Sequence, residues 1–267
     1  MAREAIGTGG HGRESADVGR VVALGASNLT LGFPAVVSSA RAAWGPKVEV
    51  LAALGHGRSY GAHSRVLFRR LPGVLESGLW PALESRPQVA TRGLVTDVGN
   101  DILYGFSAAQ TLEWVEEAVR RLSRVTRDVV VTDLPLDRIR RLSNAKFLVF
   151  RSVLVPSCRL SLTQVLDRAE RVSEGLATLA AAAGSRLVRL DPTWYGFDPV
   201  HFRRSSMRAA WREILDIPPA TSEHGVSGIE GIRLLLLPPE RRWLFGVEQF
   251  TPQEGVRLRS GGRVWIY

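Results

Sequence analysis

Short apolar runs and longer amphipathic stretches alternate along this chain from residue 20 onward. The runs Val21–Ala26, Val48–Ala53, Gly93–Val98, Val129–Leu134 and Arg186–Leu190 are brief and rich in Val and Leu. That is the pattern of strands buried on both faces. Helical patterns fill the gaps at Leu29–Trp44, Ala62–Leu71, Ala108–Arg124, Asp137–Phe150, Leu162–Ala183 and Arg204–Leu215. Ser107 stands where the third of these wants a cap. Regular strand–helix alternation predicts a mostly parallel five-stranded sheet with helices on both faces. Ligands of such sheets bind beyond the carboxyl ends of the strands.

The pattern changes after Pro218-Pro219. The runs "IRLLLLPPE", "RWLFGVEQF" and "GVRLRSGGRVWIY" are broken by Gly and Pro and read as hairpins, with "RSGGR" as a turn. The expected organisation is a Gly-rich polar tail over 1–19, an α/β domain over 20–217, and a small β-hairpin appendage over 218–267 packed on it. Trp243, Phe245, Phe250, Trp265 and Tyr267 make that last segment too apolar to hang free. We expect it to be a fixed cover rather than a hinged lid.

Composition narrows the function classes. Hydrophobic residues make up 45% of the chain, enough for a real core. The single cysteine, Cys158, excludes an intrachain disulfide framework and points to no metal centre. The formal charge of +9 is almost all arginine, scattered along the chain, which reads as a solvated surface. No zinc finger, basic helix or aromatic-interleaved RNA signature accompanies it, so no nucleic acid partner is expected. Residues 1–20 lack an apolar signal-peptide core, and no run of apolar residues is long enough to span a bilayer. A cytoplasmic location is the expectation.

Four polar clusters fall at the carboxyl ends of the predicted strands. Ser27 follows the first strand and "LGHGRSYG" the second. "TDVGNDILYG" closes the third, and "YGFDPVHF" follows the fifth. A parallel sheet brings these ends to one rim. A serine hydroxyl needs a base, and the base needs an acceptor to orient it. Asp198 and His201 are spaced D-x-x-H, so the carboxylate can hold one imidazole nitrogen while the other serves Ser27. Asn100 and the backbone N–H groups of Gly57 and Ser27 are candidate donors to an oxyanion.

In this order the clusters resemble the blocks of the SGNH hydrolase superfamily, the GDSL-type esterases and lipases. "LGASN" stands where that family has its GDS. "GHGRS" resembles its second block, "GND" its third, and "DPVH" its terminal D-x-x-H. The resemblance covers roughly residues 20–215. It implies a flavodoxin-like three-layer α/β/α sandwich, Ser27 as nucleophile, His201 as base, Asp198 as its partner, and an oxyanion hole of Ser27, Gly57 and Asn100. It also implies a small-molecule ester substrate and no cofactor. Ala26 replaces the acidic residue before the serine, and Val98 replaces a glycine of the third block, as in a divergent, bacterial-like branch.

Each residue has a plainer reading. Ser27 alone would more often cap a helix. Asn100 and Asp101 could make an Asx turn, and Gly57 could be a turn glycine. His56 and His63 are expected to be structural, and Asp97 to orient rather than react. Trp194, Tyr195 and Phe197 are either loop packing or a wall of the acyl pocket. Arg58 either orders its loop or binds a substrate anion. Other functions fit the sequence less well. A nucleophile elbow fails because Leu29 ends the G-x-S-x-G pattern. "GASNLTLG" lacks both nucleotide-binding glycine signatures. Acyltransferase, thioesterase or a silent binding module of the same fold are the remaining alternatives to an esterase.

Overall fold

The computed structural model describes residues 18–218, 226, 228–259 and 261–267. The tail expected over 1–19 falls almost entirely outside them. In chain order, β1 (Arg20–Leu24) leads to α1 (Ser27–Trp44) and β2 (Glu49–Ala53). An antiparallel pair follows, β3 (Ser64–Val66) and β4 (Arg69–Leu71), then α2 (Leu79–Glu84), β5 (Thr91–Val95), α3 (Asn100–Leu103), α4 (Ala108–Ser123) and β6 (Val129–Thr132). Next come α5 (Leu136–Arg140), α6 (Asn144–Leu154), α7 (Leu162–Ala183), β7 (Arg186–Val188), α8 (Met207–Ile214) and α9 (Gly228–Leu235). The last four strands are β8 (Arg241–Leu244), β9 (Val247–Phe250), β10 (Val256–Arg257) and β11 (Arg263–Ile266).

The main sheet has the order β10-β11-β2-β1-β5-β6-β7. The five strands expected from the sequence, β1, β2, β5, β6 and β7, are its parallel core. Alternation along β1 divides the core between the two faces. Val22 and Leu24 pack toward α4 and α7, whereas Val21 and Ala23 pack toward α1 and α8. The result is a three-layer α/β/α sandwich. Close packing on the α1 side depends on Gly32. A Cβ there would come within 1.8 Å of Trp211 Nε1 on α8. Register then sets the working end, because Leu24 lies level with Ala53 and with Val95. The loops after β1, β2 and β5 therefore leave from one rim.

Three sequence expectations are corrected. The helix expected at Ala62–Leu71 is the β3–β4 hairpin. Leu67 adopts a left-handed backbone (φ 54°) and reverses the chain, and β4 then pairs with β8, a tertiary partner invisible to local pattern. The helix expected at Asp137–Phe150 is split into α5 and α6, because the Ser143 side chain caps a new helix by accepting from Lys146 N–H. "IRLLLL", expected as a strand, ends α9. Short apolar runs are ambiguous between strand and helix. Here Glu230 and Leu234, one turn apart, are buried.

The small antiparallel unit is a four-stranded sheet, β3-β4-β8-β9, assembled from two distant parts of the chain. The final hairpin goes elsewhere. β11 joins the main sheet parallel to β2, and β10 pairs antiparallel on its outer side. Val264, Trp265, Ile266 and Tyr267 are buried there. A chain ended at Pro218 would bare the β2 edge and its apolar flank, an aggregation-prone arrangement. We expect it to be insoluble or to lose its cooperative thermal transition. A soluble truncated protein with an unchanged melting temperature would contradict this.

Candidate active site

Ser27 is the first residue of α1, not its cap. The cap position belongs to Ala26, whose methyl side chain cannot accept a hydrogen bond. The orphan N–H groups of the first turn need an acceptor, and Asp97, beyond the end of β5, supplies it. Its Oδ2 accepts from Ala26 N–H (2.9 Å) and Leu29 N–H (3.0 Å), and its Oδ1 accepts from Asn28 Nδ2 (2.9 Å). A carboxylate at a helix N-terminus is also favoured by the helix dipole. Asp97 reaches this position with a left-handed backbone (φ 59°), which Asp tolerates better than most residues.

With its hydroxyl free of capping, Ser27 Oγ lies 2.9 Å from His201 Nε2. His201 Nδ1 lies 2.6 Å from Asp198 Oδ2. Asp198 Oδ1 accepts the backbone N–H groups of Val200 (2.9 Å) and His201 (3.1 Å), which folds the D-x-x-H segment into a turn. Asn28 fixes that turn to the serine. Its Nδ2 donates to Val200 O (2.8 Å) and its Oδ1 accepts Phe202 N–H (2.9 Å), bracketing His201. Sequence reasoning missed Asn28. The only trace is a polar residue, inside an apolar segment, directly after the serine.

The electrostatics follow from these contacts. Burial works to raise the Asp198 carboxyl pKa, but the bonds from His201 and from Val200 N–H override it and leave it below its ordinary value. Burial works to lower the His201 pKa, but the Asp198 bond and charge override it and raise it above 6.5. Asp97 adds to that rise.

Gly57 sits across from the serine with φ +66°, and a Cβ there would come within 2.6 Å of both Tyr104 Oη and Val66 Cγ2. Glycine is the residue that fits. The Tyr104 hydroxyl donates to Gly57 O (2.5 Å) and sets the loop. Asn100 begins α3, and its Nδ2 reaches Arg58 O only at 3.5 Å, so its amide donors are weakly engaged. No hydrogen bond to the backbone N–H of Ser27 or Gly57 occurs among the described residues. Beneath them Asp101 accepts from Ser59 Oγ and from Tyr60 N–H (3.0 Å). Burial pushes its carboxyl up to about 6.

Ser27, Gly57, Asn100 and His201 line one cavity of about 780 Å³. Ile102, Leu134, Ile139, Phe147, Val165 and Ala169 contribute its apolar wall. Of the expected pocket residues, Tyr195 lines it. Its buried hydroxyl has no partner among the described residues, and burial raises its pKa. Trp194 is instead buried edge-on against Phe202. Phe197 stands exposed outside, near Phe150 and Lys146. Of the two readings of Arg58, its contacts match the ordering of its loop. It is wholly buried and donates to Pro72 O, Leu54 O and Tyr267 O, tying the Gly57 loop to the final strand rather than meeting a ligand. Loss of solvent, then Arg69, holds its pKa down to about 9.

The histidines divide. His63 faces Glu76 (3.0 Å) and Trp243, as a structural residue would. His56 lines the cavity. Loss of solvent, Arg69 and His201 keep its pKa below the ordinary value. Among the described residues, no cluster of His, Cys, Asp and Glu side chains could hold a metal ion, and no helix is long and apolar enough to cross a membrane.

No family model and no curated protein matches the chain. Solved structures do. An aryl esterase from M. smegmatis, in an inhibitor-bound form, superposes with TM-score 0.52 at 12% identity, covering 74% of this chain and 97% of its own. A carbohydrate acetylesterase from Sinorhizobium meliloti gives 0.49 at 13% identity, covering 74% and 97%. A member of the lipolytic G-D-S-L family from Veillonella parvula gives 0.48 at 13%, covering 75% and 98%. The first of these, the aryl esterase, shows the shared fold.

Two outcomes test the site without any assay of activity. The His201 ring should titrate above 6.5 by NMR, and Asp198→Asn, which removes the charge, should lower that value. The raised His201 value gives stabilisation that is lost as pH rises from 6.5 through the folded value, and the lowered Asp198 value gives stabilisation that is lost as pH falls from 3.8 through its folded value, so the pair stabilises fully only between the two. Separately, Asp97→Ala strands two helix N–H groups and should destabilise the protein by about 1–3 kcal/mol, measured by denaturant unfolding. An unchanged His201 titration, or an Asp97→Ala protein as stable as wild type, would contradict these assignments.

Proposed function

We propose that this protein is a serine hydrolase of carboxylic esters. The observation that carries the proposal is the Asp198–His201–Ser27 relay, with links of 2.6 and 2.9 Å, opening into a largely apolar cavity. The fold shared with an aryl esterase agrees with it. Ser27 Oγ attacks the ester carbonyl as His201 Nε2 takes its proton. Asp198 keeps Nδ1 protonated and stabilises the imidazolium. The oxyanion accepts hydrogen bonds from the N–H groups of Ser27 and Gly57 and from Asn100 Nδ2. His201 returns the proton to the departing alcohol. Water, deprotonated by His201, then attacks the acyl-Ser27 ester, and the acid leaves as the C–Oγ bond breaks and His201 returns the proton to Ser27 Oγ.

The imidazole must be neutral to act as base. Since its pKa is raised, the acid limb of kcat/KM should lie above pH 6.5. A fluorophosphonate probe should label Ser27 alone. Ser27→Ala should abolish labelling and lower kcat on the order of 10³-fold or more in a folded protein. Near-wild-type turnover in that variant would end the proposal. Asn100→Ala should lose about 10²–10³-fold, mainly in kcat, because the oxyanion forms only in the transition state.

The apolar wall adds a second expectation. Each methylene of an acyl chain buried there contributes about 0.8 kcal/mol, or about fourfold in kcat/KM. Across p-nitrophenyl esters from acetyl upward, kcat/KM should rise with acyl length until the cavity is full. A flat series would show that the acyl group lies elsewhere.

A further inference from the structure

Two hairpin tips meet beside the mouth of the cavity. The β3–β4 tip carries Leu67 and Phe68, and Leu67 itself lines the cavity. The β8–β9 tip carries Phe245 and Gly246. Phe245 N–H donates to Phe68 O (2.9 Å), and the two phenyl rings stack 4.4 Å apart at an interplanar angle of 9°. The tips lie open to solvent, with Leu67 79% and Phe245 76% exposed.

These residues run against two physical preferences at once. Bulky apolar side chains at loop tips gain nothing from water. Both Leu67 (φ 54°) and Phe245 (φ 51°) also hold a left-handed backbone, where a bulky residue is an outlier and Gly or Asn is at ease. Neither ordinary turn chemistry nor solubility accounts for them. An apolar surface brought up to the tips would.

The sheet behind the tips has a matching charge. On one face of its strands Arg65, Arg70 and Arg241 stand with one carboxylate, Glu248, which pairs with Arg241, and Arg69 and Arg242 lie on the other face. Arg70 and Arg241 lie over the buried Trp243 ring at 4.3 and 4.9 Å, cation–aromatic contacts that hold both guanidinium groups on that face. Apolar tips backed by cations fit an anionic bilayer surface, where the tips enter the acyl–headgroup boundary and the arginines meet phosphates.

We propose that the paired tips Leu67-Phe68 and Phe245 form a docking site for an anionic lipid bilayer surface. The docking itself does not depend on ester chemistry. Only its use rests on the reading above. Because Leu67 belongs both to the tip and to the cavity, an acyl chain leaving the bilayer would meet the cavity directly.

Flotation of the full chain with vesicles tests this. The wild type should float with vesicles containing phosphatidylglycerol, and about tenfold less with phosphatidylcholine alone. The double variant Phe68→Ser with Phe245→Asn should lose about tenfold or more of the binding to anionic vesicles. Its melting temperature should be held or raised, because Asn suits the left-handed position. If the wild type fails to float with anionic vesicles, the proposal is overturned. Undiminished binding by a folded double variant would overturn it equally. So would a wild-type dimer, dispersed by the substitutions, that ignores vesicles, since the tips would then be covered by a second copy of the chain.

Discussion

The arrangement turns on one carboxylate. Asp97 leaves β5 and closes the open end of α1, a task that the residue before a helix ordinarily performs for itself. With capping done from across the sheet, Ser27 keeps its hydroxyl for His201. The same carboxylate orients Asn28, and Asn28 orients the turn that carries the histidine. Three segments separated by scores of residues are therefore referenced to one pair of oxygens. Such chains of polar contact are strong when every member is satisfied and costly when one is lost.

A second brace holds the opposite wall. Asp101 carries the loop after β2 through Ser59 and Tyr60. The Tyr60 hydroxyl in turn lies between the ends of β1 and β5, 3.1 Å from Leu24 O and 2.8 Å from Thr96 O. Burying that carboxylate works against its ionisation. The loop that presents Gly57 thus rests on a carboxyl whose pKa burial raises to about 6, against the bonds from Ser59 and Tyr60 that favour its charged form. Polar groups are concentrated at this rim, whereas the strands beneath are almost wholly apolar. Rigidity at the rim comes from directional bonds, and stability comes from the layers below.

Much of this was legible in the sequence where the signal is local. The five parallel strands are continuous apolar runs, and the serine cap of α4 sits where it was expected. The D-x-x-H turn forms as its spacing suggests, because its contacts span only three residues. What was illegible depends on distant partners. β3 and β4 look helical until β8 is present to pair with them. The task of Asn28 is written in its contacts with residues 200 and 202, which no window around residue 28 contains. The two readings of Arg58, loop brace or anion site, stayed open because no window around residue 58 reveals that residue 267 comes to meet it.

That last contact bears on how the protein comes into being. β11 is an interior strand of the main sheet, and it is drawn from the end of the described chain. Through Arg58 it also props the loop that carries Gly57, across 209 positions of sequence. Contacts of such long range form late, because the entropy of closing the loop comes before any reward. During synthesis the parallel core can assemble while β2 still has a bare edge. The Gly57 wall is left without its inner support until residues 263–267 have been made. A nascent chain therefore holds its serine and histidine well before it holds a finished site, and proteolytic loss of the last dozen residues would return it to that state.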